Sequence, residues 1–221
     1  MRGVRLSLLC SLLIWSPTMT ASLAASSTND WASDLRWGGY VIVFRHGATT
    51  SDQKTDAMSN PNADPMSSPA GGKAAAGERQ LSEKGRAQAE AIGSSLRRLG
   101  IPVGMVLTSP LQRAVDTGKL MTFAEVQTLP DLAEAGAALS PEEKNRRAQA
   151  LRMLVALHPP LDSNLVIVTH KPNIVDAFGK DWSDLREGEA SVFEPDGEGG
   201  FKLIVRVQAD EWAQLSPGSS D

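Results

Sequence analysis

Apolar residues along this chain follow two rhythms, and the rhythms alternate. Tyr40-Val41-Ile42-Val43-Phe44, Val103 to Leu107 and Leu165-Val166-Ile167-Val168 are short, unbroken apolar runs rich in β-branched side chains. Such runs predict strands covered on both faces, as in a parallel sheet. Between them the spacing becomes helical. Ser82, followed by Glu83 and Lys84, predicts a helix start, and Ala87, Ala91, Ile92 and Leu96 form a stripe to about Leu99, where Gly100-Ile101-Pro102 stops it. A second helix begins near Pro110, a residue suited to a first turn, and runs through Leu111, Ala114, Val115 and Leu120. A third opens at Pro141-Glu142-Glu143 and carries Ala148, Leu151, Leu154 and Val155, and a short one covers residues 172–178. Val126 to Leu129 predicts a further strand, and Ala190 to Phe193 with Phe201 to Val207 predicts a hairpin turning through Asp196-Gly197-Glu198-Gly199-Gly200.

Strands alternating with helices predict a three-layer α/β/α arrangement with a mostly parallel central sheet and a C-terminal hairpin. Ligands in such sheets bind outside the carboxyl ends of the strands. Arg45 and His46 end the first strand, Ser109 ends the second and His170 follows the strand at 165–168. Groups far apart in sequence are therefore expected on one rim.

Two segments stand outside this alternation. Residues 51–80 are Ser, Asn, Asp, Pro, Gly and Ala without periodicity, which predicts a long loop of the kind that forms lids or binding loops. Residues 1–24 read as a secretory signal: Arg2 and Arg5 precede an apolar core from Leu6 to Trp15, and Ser22-Leu23-Ala24 offers a cleavage site. The core is shorter than the roughly 20 residues a bilayer span needs, so a cleaved signal is preferred to a stable membrane anchor. Residues 25–221 would then form a single domain, in the periplasm or secreted.

Composition narrows the chemistry. Cys10, the only cysteine, lies in the apolar core of the leader, so the mature chain would have neither disulfides nor a thiol nucleophile. The 221 residues carry 22 Lys+Arg against 26 Asp+Glu, and without Arg2 and Arg5 the balance is 20 against 26. No basic block marks a nucleic-acid partner. A bound anion must be held by a few placed cations.

The rim offers them. Arg45 and Arg113 present planar forks that match phosphate oxygens, and the amino end of the helix near Pro110 adds backbone N–H groups. A phosphoryl group fits such a site without a metal. His46 can attack it if neutral, a state that nearby arginines favour, with one ring nitrogen fixed by a backbone carbonyl such as that of Gly47. A phosphohistidine hydrolysed by water would follow, with His170 donating to the phosphoryl oxygens.

VIVFRHGAT at 41–49, LSEKGRAQAEAIGSSL at 81–96, TSPLQRAVDTGKL at 108–120 and VIVTHKPN at 166–173 together resemble the histidine phosphatase superfamily, with its phosphoglycerate mutase-like fold. Arg-His-Gly alone would arise by composition in about one or two chains per hundred of this length; four segments in order are far more specific. The resemblance implies that Arg45, His46, Arg113 and His170 form a phosphate pocket, that no cofactor is required, and that the partner is a small phosphorylated substrate. Gly47 and Thr49, on the turn after His46, are further phosphate-binding candidates. The sequence departs from the family's acid phosphatase branch at Lys171, where that branch carries an Asp proton donor. The mutase-like branch takes its acid from a Leu-x-Glu context, which Leu132-Ala133-Glu134 matches. Glu189 is the second candidate acid and Asp52 the third.

Other charged and aromatic residues carry lesser expectations. His158 is placed at a helix end, near the opposite end of the following strand from His170, which argues against a three-histidine metal site. Arg79 is either a loop charge or a substrate contact. Lys84, Arg86, Arg97 and Arg98 read as a solvated helix face, and Trp31, Trp37, Trp182 and Trp212 as packing residues. The leading expectation is an exported phosphomonoester hydrolase. A phosphomutase is less compatible with export, as is a phosphatase of protein phosphohistidine, and a non-catalytic phosphoryl-binding protein is the reading from another class. The sequence specifies neither substrate nor oligomeric state.

Overall fold

Strands that read as apolar on both faces are covered on both faces. The computed structural model describes residues 30–50, 78–123, 125–134, 139–160 and 162–217. In chain order the elements are α1 (Asp30–Asp34), β1 (Val41–Arg45), α2 (Glu83–Arg98), β2 (Val103–Thr108), α3 (Gln112–Leu120), β3 (Val126–Thr128), α4 (Pro141–Ala156), β4 (Asn164–Thr169), α5 (Lys171–Phe178), β5 (Ala190–Pro195), β6 (Phe201–Val207) and α6 (Glu211–Gln214). The six strands form one sheet in the order β3-β2-β4-β1-β5-β6. Its first four strands are parallel, and the β5–β6 hairpin is antiparallel to β1. The leader at 1–24, Cys10, residues 51–77 of the long loop and Asp52 lie outside the described residues.

Alternate side chains of each central strand enter different cores. Ile42, Phe44, Val106, Val166 and Val168 join Ile92, Leu96, Ala114 and Trp212 on one side of the sheet. Val41, Val43, Leu107, Leu165 and Ile167 join Ala148, Leu151, Val155 and Ile174 on the other. The helices α2, α3 and α6 therefore pack on one face, and α4 and α5 on the opposite face. Two predicted helix starts are real caps. Ser82 Oγ accepts from Gly85 N–H at 3.1 Å, and Ser140 Oγ accepts from Glu143 N–H at 3.3 Å ahead of Pro141.

Sequence and structure part at several places. The polar stretch before β1 contains α1 and a 3-10 turn, held down by the buried Asn164 amide, which donates to the Leu35 carbonyl at 2.7 Å. Trp37 is 81% exposed and is not a packing residue. Arg97 and Arg98 do more than face water. Arg97 donates to the Met121 carbonyl and Thr122 Oγ1, and Arg98 to the carbonyls of Leu215, Trp212 and Ala213. His158 is exposed after α4 and lies against the β5–β6 turn near Gly197.

Candidate functional site

Strand register delivers the two histidines to one place. Arg45 on β1 is paired with Thr169 on β4, so the next residues along both strands, His46 and His170, stand side by side. The ladder continues one step beyond the strands: His46 N–H donates to the Thr169 carbonyl at 3.0 Å, and Ser109 N–H to the Val168 carbonyl at 2.9 Å. The imidazole centroids are 5.2 Å apart. Both rings are buried, His46 at 2% exposure and His170 at 0%.

Each imidazole has one nitrogen fixed. Nδ1–H of His46 donates to the Gly47 carbonyl at 2.8 Å, since a carbonyl only accepts. Nε2 of His46 is thereby the unprotonated, nucleophilic nitrogen, in a ring that lines an open cleft. Nε2 of His170 lies 2.7 Å from Ser109 Oγ, and that hydroxyl already accepts from Leu111 N–H at 3.2 Å. Ser109 can therefore give its proton to Nε2, which leaves Nδ1–H of His170 as a donor. Among the described residues that Nδ1 has no hydrogen-bond partner, and it stands 3.9 Å from Glu134 Oε2.

Burial pushes the His46 imidazole down from 6.5 to about 3, with Arg113 and then Arg45 and Arg79 adding to the effect against the raising influence of the Gly47 hydrogen bond. The arginines named from sequence do act, but desolvation is the larger cause. Burial likewise holds His170 well below its ordinary value, with Arg113 and His46 next. Both rings are neutral near pH 7. A pH dependence of stability follows. Unfolded histidine titrates near 6.5 while native His46 does so near 3, so between these values the unfolded state binds the extra proton. Stability must fall as pH drops through that window. The wild-type melting temperature should therefore decline more between about pH 7 and about pH 4.5 than that of His46→Asn. Parallel declines in thermal melts would refute the neutral-imidazole assignment.

Arg113 is 0% exposed. Its guanidinium pairs with Glu134 Oε2 and lies 3.9 Å from Glu78 Oε1. Arg79 lies 3.5 Å from Glu134 Oε2. Arg45 donates Nη1 to the Leu185 carbonyl at 2.8 Å, and its Nη2 is 3.4 Å from Glu187. Arg45, His46, Arg79 and Glu134 line a cleft of about 520 Å³ with Lys171, Pro172, Val175, Asp176 and Ser183. Glu134 is held there by its neighbours: Thr169 Oγ1 donates to the Leu132 carbonyl at 2.8 Å, and the Asn173 amide and Arg147 donate to that of Ala133 at 2.8 and 3.1 Å.

Three candidates have other surroundings than expected. The N–H of Gly47 is taken by Thr117 Oγ1 at 3.1 Å, so it is not offered to a phosphate. The glycine serves packing instead: a Cβ at Gly47 would lie 2.7 Å from the Gly85 carbonyl oxygen, and one at Gly85 would lie 2.0 Å from that of Ala48. Thr49 faces Glu187, its hydroxyl donating to Oε1 at 3.2 Å. Glu189 is fully buried and bound to Arg206, away from the cleft. Its carboxylate is buried outside the cleft lining, where it does not meet a substrate's leaving group. The amino end of α3 is also occupied, because Glu78 Oε1 accepts from Gln112 N–H. Gly85→Ala should accordingly cost about 1–3 kcal/mol by overpacking two backbones and displace the Gly47 carbonyl that holds His46. Denaturant melts measure the first effect, and an unchanged midpoint would contradict it.

Sequence reading missed Ser109 as the partner of His170, Glu78 beside Arg113 and Glu187 beside Arg45. Only Ser109 carried a signal, since it ends a strand on the same rim. Arg79 lines the cleft.

Two neighbouring strand ends of an α/β protein thus carry a buried histidine pair, with Arg45 and Arg79 on the wall of an open cleft. The family model of the histidine phosphatase superfamily (branch 1) matches residues 41–148 of this chain. A sequence relative, an uncharacterized protein of Picosynechococcus sp. (strain ATCC 27264 / PCC 7002 / PR-6), is 28% identical over 121 residues, covering 52% of this chain and 70% of that protein. Among solved structures, the protein histidine phosphatase SixA complexed with tungstate superposes with a TM-score of 0.53 at 16% identity, covering 78% of this chain and 98% of its own. A phosphoserine phosphatase variant from Entamoeba histolytica in complex with phosphoserine gives 0.52 at 15% identity, covering 77% and 97%. At such identities the likeness is one of fold.

Proposed function

We propose that this chain is an exported phosphomonoester hydrolase acting through a phosphohistidine on His46. The observation that carries the reading is the His46 ring itself: buried, neutral, with Nδ1–H bound to the Gly47 carbonyl and Nε2 left for attack. Nε2 attacks phosphorus as the ester oxygen leaves, and the Gly47 carbonyl supports the positive charge that develops on the ring. Arg45, Arg113 and Nδ1–H of His170 hold the equatorial oxygens. Water then attacks phosphorus, releasing phosphate and restoring neutral His46.

Glu134 is the proton donor in this scheme. Glu134 lines the cleft between Arg113 and Arg79, on the wall that a bound ester would face. The same group can accept a proton from water in the second step. Export rests on the leader-like pattern of residues 1–24.

The test is phosphate release from a panel of esters graded by leaving-group acidity. Glu134→Gln should lose about 10²- to 10⁴-fold on alkyl phosphates, whose leaving oxygens need a proton. It should lose much less on a nitrophenyl ester. Equal losses across the panel would remove Glu134 from the acid role. Absence of turnover by folded wild-type protein on every ester would favour a phosphoryl-binding protein.

A further inference from the structure

The segment at 183–189, which leads into β5, meets the end of β1 at several points. Arg45 Nη1 donates to the Leu185 carbonyl at 2.8 Å, and Nη2 lies 3.4 Å from Glu187 Oε1. The Arg45 backbone N–H donates to the Glu189 carbonyl at 3.0 Å. In return Gly188 N–H donates to the carbonyls of Arg45 at 3.2 Å and His46 at 3.0 Å. The shape of this segment therefore sets where the Arg45 fork points.

One guanidinium from the last strand fixes that shape. Glu189 is 0% exposed, and its Oε2 accepts from Arg186 N–H at 2.9 Å. Its Oε1 accepts from Arg206 Nε at 2.7 Å and lies 2.5 Å from Nη2. Arg206 also donates Nη1 to the Asp181 carbonyl at 2.9 Å and Nη2 to Asp184 at 2.8 Å. It thus ties the approach, the start and the end of the segment together. Five donors in a rigid plane make this possible, and a lysine ammonium cannot reproduce it. Neither Arg206 nor Glu189 lines the cleft. An ion pair with one buried partner is a poor source of stability, because desolvation of that partner offsets the attraction. Its effect here is geometric.

We propose that Arg206 and Glu189 are positioning residues for Arg45: the partly exposed Arg206 and the buried Glu189 carboxylate hold the 183–189 segment in the conformation that aims the Arg45 guanidinium at the phosphoryl group. The proposal rests on the phosphate-site reading above, and its test separates the two. Arg206→Ala would strand the Glu189 carboxylate in the core and endanger folding. The working variants are Arg206→Lys and the double variant Glu189→Gln/Arg206→Met, which strands no charge. Orthovanadate binding, KM and kcat on an aryl phosphate are measured for each, alone and combined with Arg45→Ala.

Arg206→Lys and the neutral pair should weaken vanadate binding and raise KM by about tenfold or more, as expected of a misplaced phosphate clamp, with a smaller change in kcat. In the Arg45→Ala background the same substitutions should cost nothing further, because their effect passes through Arg45. Asp184→Asn, which removes only an exposed contact of Arg206, should behave as wild type. Unchanged vanadate binding in Arg206→Lys and in the neutral pair overturns the proposal. So do losses that simply add to that of Arg45→Ala, the signature of general loosening. A folded wild-type protein that neither binds vanadate nor turns over an ester overturns the phosphate-site reading, and the positioning role with it.

Discussion

His46→Ala is expected to lower turnover of any phosphomonoester by at least about 10⁴-fold, the scale seen when a nucleophile is deleted, while the protein stays folded. The imidazole is buried and its Nδ1–H satisfies the Gly47 carbonyl. Its removal leaves that carbonyl without its partner, a cost of about 1–3 kcal/mol. The loss is local, because the strand ladder at this point runs through the His46 backbone, whose N–H bonds Thr169. Phosphate binding should survive far better than turnover, since Arg45 and Arg113 remain. Vanadate titration beside a steady-state assay checks this split. Equal losses in both would mean that His46 binds rather than attacks.

Arg113→Met should rank second, with kcat/KM down by about 10³-fold or more, as for loss of a charge-stabilising donor in phosphoryl transfer. The substitution also leaves Glu134 and Glu78 without the guanidinium between them. Breaking a buried pair typically costs about 3–5 kcal/mol; the penalty here should be smaller, because Glu134 is partly exposed and can recover hydration. Arg113→Lys restores charge but not the fork, so recovery should be partial. A further consequence separates this variant from simple loss of binding. Arg113 is the second-largest influence holding His46 neutral, so its removal should move the acid limb of kcat/KM to higher pH. A pH–rate profile displaced the other way would contradict the electrostatic account.

Much of this site was legible in the sequence because it depends on strand ends. The run Val41 to Phe44 declares a buried strand, and Arg45-His46 follows it directly. The run Leu165 to Val168 does the same for Thr169-His170. Parallel pairing of two such strands suffices to bring the histidines together. The Gly47 carbonyl as the partner of His46 was also within reach, since it is the neighbouring residue. The illegible part lies in side chains whose partners are set by loops. Glu78, Glu187 and Arg79 sit in polar segments without periodicity, so no pattern says which way they turn. Glu189 looked like an acid because it precedes the hairpin, but its partner Arg206 comes from a strand that sequence spacing cannot align to one residue. Gly47 was read as a phosphate contact, whereas its small size answers to Gly85 of α2, a contact visible only once the helix is docked. Trp37 shows the same limit: its neighbours Trp31 and Leu35 pack inward while its own ring faces solvent.

The central claim concerns a single nitrogen. The protein should be mixed with an activated aryl phosphate, quenched at alkaline pH within a turnover, and the phosphorylated site mapped by mass spectrometry and phosphorus NMR. The account predicts an acid-labile phosphoryl group on Nε2 of His46, because Nδ1 is committed to the Gly47 carbonyl. Attachment to Nδ1, attachment to His170, or turnover without any covalent intermediate would contradict it.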